Sequence, residues 1–288
     1  MADGAGADMG DLFLANIRGD IGSKDGTGCT DLVWRRGKSF VAHNEDGAPA
    51  VGADLMFLSL DIDGEPPVTA QWYPGFIPSN AFAATAGGLV WGINHLPISK
   101  PGNGAGRHFV ARHLQRTQSI EEAIEFLQTH PIAGGFSFNV GELETGKVAT
   151  VESAAGKVAV HHPTIDDPFT WHTNHIRMLP KDLQSDTHEE SPVTPHGTTA
   201  QLGQSGESMA RGKYLTSLQP PAQEPSNQWF LDILTTHELP NGVLRTARDD
   251  DSLATLCTTV TDLSLGTVLV KGIGSEPESI TIADLIAG

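Results

Sequence analysis

Hydrophobic and polar residues alternate over much of the chain, and two groups of amphipathic segments interrupt this alternation. A period of two residues is typical of strands with one face in a core. Alternation on both sides of Gly37 predicts a hairpin, and glycines inside the later apolar runs predict further hairpins. The candidate strand regions are 29–36, 38–46, 53–63, 80–96 and 134–162.

The amphipathic segments predict helices that lie between groups of strands. Ser119, with Glu122 three positions later, forms a capping-box pattern, and Pro131 ends that helix. The candidate helices are 107–115, 119–130, 207–218 and 227–237, and the runs 252–263 and 266–273 predict a closing hairpin. This order favours an α+β fold with antiparallel sheets covered by helices, for which a four-layer αββα sandwich is one solution.

Two polar regions are predicted to lack regular structure. Residues 1–28 are rich in Gly, Ala and Asp, which is typical of turns rather than of an element, so we interpret them as a short leader. Residues 180–206 are polar and contain Pro, which predicts a surface loop or lid. Residues 29–288, which contain no internal repeat or linker, are expected to form a single catalytic domain.

The charge of the chain excludes several classes of partner. Eighteen Lys plus Arg and thirty-five Asp plus Glu give a formal charge of −17, which repels nucleic acid and anionic membranes. No apolar run approaches the roughly 20 residues of a membrane span, and the first residues do not resemble a secretory signal. We therefore expect a cytoplasmic protein that acts on a small molecule.

The two cysteines differ in their surroundings. Cys257 lies in an apolar, β-branched run, where a free Cys usually fills space in a core. Cys29 follows a Gly-rich stretch and begins a strand candidate. If the chain is cut after Gly28, the freed α-amine, with a pKa near about 8, can take the thiol proton. The alternative is that Cys29 simply begins a core strand.

Several side chains at the ends of candidate strands are suited to assist such a nucleophile. Asp46 follows the strand that pairs with Cys29, where a carboxylate can hold the amine, although Asp is also common in turns. Asn94 and Asn174 can each donate to a developing oxyanion or cap a turn.

Two histidines near Asn174 offer a different mechanism. His172 and His175 are three residues apart, which on a strand places their side chains on opposite faces of the sheet. No third ligand is evident, so no metal site is predicted. A Cys–His dyad with one of them is the alternative mechanism. No phosphate-binding or dinucleotide motif is present, and no cofactor is expected.

A series of motifs resembles the family of acyl-coenzyme A:6-aminopenicillanic acid acyltransferase and its amidase-like relatives. In chain order the motifs are GCTDL, AHNEDG, GGLVWGINHL, RHFVARHL with SIEEAIEFL, FSFNVGE with VESA, WHTNH and LATLCTTV. The resemblance implies the αββα sandwich of Ntn-hydrolases, whose nucleophile becomes the N-terminal residue. It also implies cutting between Gly28 and Cys29 and an acyl-enzyme on Cys29.

The resemblance also implies roles for particular residues. Asp46 corresponds to the carboxylate near the new amine, Asn174 to the oxyanion-hole amide and Asn94 to a further active-site amide. Arg245 falls where related enzymes place an arginine beside the thiol, which favours the thiolate. His172 lies next to these groups in WHTNH. Homo-oligomers are a reasonable expectation for such an enzyme.

Departures from the family pattern concern the substrate. The penicillin-making enzymes carry a substrate-binding arginine just before the A-T-L segment, where this chain has Ser252 and Leu253, and they carry a longer leader. We therefore expect hydrolysis of a linear amide, such as an N-acyl amine or a β-alanyl amine conjugate. The alternatives are an acyl-coenzyme A-dependent acyltransferase, for which Arg35 and Arg36 are the one basic pair, and a non-catalytic ligand-binding protein.

Overall fold

Thirteen strands in two antiparallel sheets form the centre of the described part of the chain. The computed structural model describes residues 1–21, 28–79, 81–184, 203–236, 241–247 and 253–288. The strands are β1 (Gly28–Arg36), β2 (Lys38–Gly47), β3 (Met56–Leu60), β4 (Val68–Trp72), β5 (Phe82–Thr85), β6 (Leu89–His95), β7 (Gly135–Glu142), β8 (Val148–Ala154), β9 (Lys157–His161), β10 (Phe169–His172), β11 (Ala254–Asp262), β12 (Thr267–Gly272) and β13 (Glu278–Thr281).

The two sheets differ in how the chain builds them. The first has the order β10-β1-β2-β11-β12-β13, and the second follows the chain from β3 to β9. In the first sheet, β1 and β2 are joined by the tight turn at Gly37, where φ is 68°. This left-handed conformation suits glycine, and the turn sets a register in which Cys29 pairs with Glu45 and Asp31 with His43.

Helices cover the outer faces of both sheets and complete the four layers. The α-helices are α1 (Ala2–Ala5), α2 (Met9–Asn16), α3 (Arg107–Leu114), α4 (Ile120–Thr129), α5 (Gly203–Ser217), α6 (Asn227–Leu234) and α7 (Ile282–Ala287). Helices α3 and α4 pack on the second sheet, and α5 and α6 pack on the first. A third apolar cluster lies between the sheets and includes Val33 and Phe82. The predicted αββα sandwich is thereby confirmed.

Most predicted elements are present, including the helix capped by Ser119, whose hydroxyl accepts from the Glu122 amide at 3.1 Å. Residues 1–28 were predicted to form turns and no regular element, which is wrong because helix α2 lies within them. Strands β4 and β13 and helix α7 were not predicted. The predicted loop 180–206 lies largely outside the described residues. Within the described residues, no helix is both long and apolar enough to cross a membrane.

Candidate active site

Cys29 lies at the start of β1 with both its backbone and its side chain held. Its amide N–H donates to Asn174 Oδ1 at 2.9 Å, and its Sγ lies 3.3 Å from Glu45 Oε2. The residue is only 4% exposed. Because the two strands are paired in register, the thiol and this carboxylate lie side by side on the face that looks towards the second sheet.

A chain of buried polar groups continues from Glu45. Its Oε1 accepts from the Tyr73 hydroxyl at 2.6 Å, and its Oε2 lies 3.3 Å from His43 Nε2. His43 Nδ1 lies 3.1 Å from Asp31 Oδ1. The facing strand β6 has Gly92 at this point, where a Cβ would overlap the Asp31 carboxylate. The absence of a side chain at residue 92 therefore makes room for the Asp31–His43 pair.

The protonation of this chain follows from its charges. Burial acts to lower the pKa of His43, but the adjacent Asp31 and Glu45 carboxylates outweigh burial and raise it to about 10. Burial, followed by the charges of Glu45, Asp46 and Asp31, raises the pKa of the Cys29 thiol. In the continuous chain the thiol is thus neutral and close to Glu45. This is the opposite of the thiolate that an arginine beside the sulfur would favour.

Asp46 and Arg245 lie on the opposite face of β1, around residue 28. A Cβ on Gly28 would lie 2.6 Å from Arg245 Nη1 and 3.2 Å from Asp46 Oδ2. Asp46 Oδ1 accepts from Thr255 Oγ1 at 2.7 Å, while Arg245 Nη1 pairs with Glu207 Oε2 at 2.9 Å. Burial raises the pKa of Asp46, against the lowering effect of Arg245 and Arg211. The predicted carboxylate and arginine therefore border the glycine of the proposed cleavage site.

Asn174 links the nucleophile strand to the second sheet. Its Nδ2 donates to the His95 carbonyl at 3.0 Å, while its Oδ1 accepts from both Cys29 and Arg211, the latter at 2.8 Å. Arg211, fully buried on α5, also donates to the Cys29 carbonyl and to Thr30 Oγ1 at 2.9 Å. In this state Asn174 presents its oxygen to Cys29, and Arg211 fixes the peptide that follows Cys29.

Asn94 occupies the same end of β6 as His95. Its Oδ1 accepts from Asn139 Nδ2 at 2.9 Å, and its buried Nδ2 has no acceptor among the described residues. Since Asn174 bridges Cys29 to the carbonyl of His95, the end of β6 lies one side chain away from Cys29. Asn94 therefore brings an unused donor into this region.

The structure places His172 in a separate cluster. Its Nε2 lies 2.9 Å from Glu152 Oε1, and this carboxylate also accepts from the backbone amides of residues 177, 178 and 179 at 2.6–2.9 Å. Burial acts to raise the pKa of Glu152, but these donors lower it to about 2. His175 contacts Thr173 and Ser208. Both histidines thus stabilise the turn around Asn174, and neither contacts the thiol.

Sequence reasoning missed five residues of the buried group around Cys29, namely Glu45, His43, Asp31, Tyr73 and Arg211. Within the described residues, the set that can hold a metal ion is Cys29, His43 and Glu45, whose ligand atoms all lie within 4.8 Å of one another. The predicted hairpin could have revealed Glu45 and His43, because a turn at Gly37 pairs the two strands so that Cys29 lies opposite Glu45.

A cavity of about 350 Å³ lies next to the group around residue 28. Arg245 and Thr255 form its inner wall, and Lys271 contributes a positive charge. Apolar residues that line it include Pro49, Leu244, Ala254 and Ile273. Its volume is within the range of small-molecule sites.

The fold is similar to two solved structures of enzymes. A mutant of conjugated bile acid hydrolase from Clostridium perfringens has a TM-score of 0.51 and 13% identity, over 90% of this chain and 94% of that chain. Penicillin V acylase from Agrobacterium tumefaciens has a TM-score of 0.50 and 16% identity, over 89% and 88% of the two chains. At this identity the likeness shows the fold alone. The comparison with curated proteins gives no match.

A match to a protein family covers most of the chain. The family described as acyl-coenzyme A:6-aminopenicillanic acid acyl-transferase matches residues 34–270. This range includes most residues of the candidate site but not Gly28, Cys29, Thr30, Asp31, Lys271 and Ile273. Its kind of activity is that of amidases and acyltransferases that act on small amide or acyl substrates. The chain belongs to the acyl-coenzyme A:6-aminopenicillanic acid acyl-transferase family, with an Ntn-hydrolase-like fold.

Proposed function

We propose that this protein is an autoprocessed cysteine Ntn-hydrolase that cleaves a linear amide through a thioester on Cys29. The observation that carries the proposal is the position of Cys29, directly after Gly28, with its amide held by Asn174 and its thiol 3.3 Å from Glu45. A nucleophile beside a proton acceptor is the arrangement that covalent catalysis requires.

The first reaction is the cutting of the chain itself. The Cys29 sulfur attacks the carbonyl carbon of Gly28, and the thiol proton passes to Glu45. The Gly28–Cys29 C–N bond breaks as a proton reaches the leaving nitrogen, which leaves residues 1–28 as a thioester on Cys29. Water then hydrolyses the thioester and releases the Gly28 carboxylate. Because the raised pKa of Cys29 keeps the thiol neutral, proton transfer has to accompany the attack.

The second reaction repeats these steps on a substrate. The freed α-amine of Cys29 takes the thiol proton and later gives it to the leaving amine, and Asp46 holds that amine. Asp46 Oδ2 is suited to this because it is buried and accepts no hydrogen bond among the described residues. To stabilise the oxyanion, Asn174 has to turn its Nδ2, which donates to the His95 carbonyl in the continuous chain, towards the substrate. The unused Nδ2 of Asn94 is the second donor, and water resolves the thioester.

The cavity beside Arg245 and Thr255 supports a substrate with an apolar group next to the amide. An N-acyl amine or an acyl amino acid with an apolar acyl chain fits this description. The apolar lining favours a β-alanyl amine conjugate less, because its acyl group carries an amine. Transfer from acyl-coenzyme A is less well supported. The pair Arg35 and Arg36 lies at the other end of β1, roughly 20 Å from the thiol at about 3.3 Å per residue.

The test is intact-mass spectrometry of wild type beside Cys29→Ala. We expect wild type to lose the mass of residues 1–28 and Cys29→Ala to remain full length. The cut protein should then release amine from N-acyl amines in a substrate screen. If both proteins remain full length, the mechanism is wrong, and the non-catalytic ligand-binding protein becomes the better interpretation.

A further inference from the structure

Three metal-binding atoms of different kinds lie close together, from the side chains of Cys29, His43 and Glu45. Sγ of Cys29 and Nε2 of His43 each lie 3.3 Å from Oε2 of Glu45. Zinc binds such atoms at about 2.0–2.3 Å in a tetrahedron, whose edges are then about 3.3–3.8 Å long. Two of the three separations are therefore already those of neighbouring zinc ligands, and all three ligand atoms lie within 4.8 Å of one another.

The groups behind these ligands fix their orientation. Asp31 Oδ1 lies 3.1 Å from His43 Nδ1, and the opposite ring nitrogen faces Glu45 Oε2 and lies within 4.8 Å of the Cys29 sulfur. A carboxylate on the far nitrogen of a histidine ligand is the usual support of a zinc site. Tyr73 holds the other oxygen of Glu45 at 2.6 Å. Each ligand therefore sits on a paired strand, and two of them have a second contact that aims them.

The charge of this region favours a cation. Asp31 and Glu45 lie buried on the same face of the sheet as the thiol, and Asp46 lies buried on the other face; the charges of all three raise the pKa of the thiol. A thiolate, an imidazole and a carboxylate together are a donor set typical of zinc, whereas magnesium and calcium prefer oxygen ligands alone. The set supplies three protein ligands and leaves the fourth position open.

We propose that Cys29, His43 and Glu45 bind one Zn²⁺ ion, and that the bound ion keeps the Cys29 sulfur from attacking a carbonyl. Binding displaces the protons of the thiol and the imidazole, because both coordinate in their deprotonated form. Zinc binding stands on the geometry alone, whereas the inhibitory effect rests on the proposed function. The ion would hold back both the cutting of the chain and the hydrolysis of substrate.

Binding is tested without reference to activity. Purified protein is dialysed against Zn²⁺ and its metal content measured, and Co²⁺ is added in a parallel sample to read the near-ultraviolet charge-transfer band of a thiolate ligand. We expect one ion per chain and a band that Cys29→Ser abolishes and Cys257→Ser preserves. Asp31→Asn should weaken binding by about 10–100-fold, because it removes only the support of His43.

Two results of the Co²⁺ measurement would overturn the site. One is no Co²⁺ band in wild type, and the other is a band that persists in Cys29→Ser. His43→Gln should lower affinity while His161→Gln, on the outer strand β9, leaves it unchanged, and circular dichroism of each variant verifies that it is folded. Equal affinity of the two histidine variants would also contradict the proposal.

The inhibitory effect has its own readout. Protein synthesised in a cell-free system is followed by intact mass with Zn²⁺ or with a chelator present. We expect the loss of residues 1–28 in the chelator sample and its arrest with Zn²⁺. If the chain is cut equally fast in both, inhibition is wrong. If neither sample is cut, the proposed function has failed, and the Co²⁺ band still decides whether the site exists.

Discussion

The Glu45 carboxylate lies at the centre of the buried polar group around Cys29. It contacts the Cys29 thiol, the Tyr73 hydroxyl and the His43 imidazole. If it accepts the thiol proton, Glu45→Gln should slow the cutting of the chain by about 10²–10⁴-fold, the usual contribution of a general base. The rate is measured as the disappearance of full-length mass after synthesis in the presence of a chelator.

Tyr73→Phe is the matched control for this prediction. It removes one hydrogen bond to Glu45 but keeps the carboxylate, so the rate of cutting should fall by less than about tenfold. Cutting of Glu45→Gln at the wild-type rate would show that another group takes the proton. A fall of the same size in both variants would point to a purely structural role for this pair.

The neighbours of Cys29 were only partly predictable from sequence. A turn at Gly37 sets the register of β1 and β2, so counting from it pairs Cys29 with Glu45 and Asp31 with His43. Alternation also places Glu45, rather than Asn44 or Asp46, on the thiol side of the strand. Arg211 could not be found in this way, because no local pattern shows that a helix 182 residues further along reaches the Cys29 carbonyl.

At the scale of elements, helix α2 shows why residues 1–28 were predicted to form turns rather than a helix. Its hydrophobic side chains Phe13 and Leu14 are more than half exposed, so it has no buried apolar stripe for a sequence pattern to reveal. Polar groups attach it to the domain. Asn16 donates to the Gly75 carbonyl at 3.2 Å and accepts from the Ile77 amide at 2.6 Å.

Asp20, which follows α2, accepts hydrogen bonds from the domain and is expected to stabilise α3. Its carboxylate accepts from the Arg107 amide at 3.0 Å and from the Gly134 amide at 2.8 Å, so it caps the helix N-terminus, where Gly106 has no side chain to do so. In the uncut Cys29→Ala background, Asp20→Ala should lower the free energy of unfolding by about 1–2 kcal/mol. Urea denaturation measures this loss.

Asp8→Ala is the control for Asp20, because Asp8 caps α2 in an exposed position through the Asp11 amide at 3.1 Å. Asp8→Ala should lower the free energy of unfolding by less than Asp20→Ala does, because water can replace the hydrogen bond of an exposed cap. Equal losses would show that the buried position of Asp20 adds nothing. A greater loss for Asp8→Ala would contradict the assignment of Asp20 as the main attachment of the leader.

At the scale of the whole molecule, the pattern of hydrophobic and polar residues predicted the four layers of the fold better than the polar site between the sheets. Alternation along the strands and the amphipathic pattern of α4 and α6 each specify one buried face, and such faces have few ways to pack. The polar groups between the sheets do not follow this rule. Asp31, His43 and Glu45 occupy inward positions that a strand pattern assigns to apolar residues, and their mutual contacts compensate for burial.

This buried charge is expected to shape the pH dependence of stability. The pKa of His43 is raised from 6.5 to about 10, so the folded state holds its proton more tightly than the unfolded state. Its contribution is complete below pH 6.5 and is lost as the pH rises through about 10. Burial, followed by the charge of His172, lowers the pKa of His175 to about 3. That contribution is complete above pH 6.5 and is lost as the pH falls through about 3.

The two histidines therefore predict a maximum of stability near pH 6.5, with losses on both sides. Thermal unfolding of the Cys29→Ala chain in buffers from acid to alkaline pH measures the curve. His175→Gln should flatten the acid side alone, because it removes a group that the folded state keeps neutral. His43→Gln should lower stability overall and flatten the alkaline side alone, because it removes a proton that the folded state retains. A wild-type alkaline slope in His43→Gln would mean that this imidazole does not carry the proton between Asp31 and Glu45, and that the charge between the two sheets is balanced elsewhere.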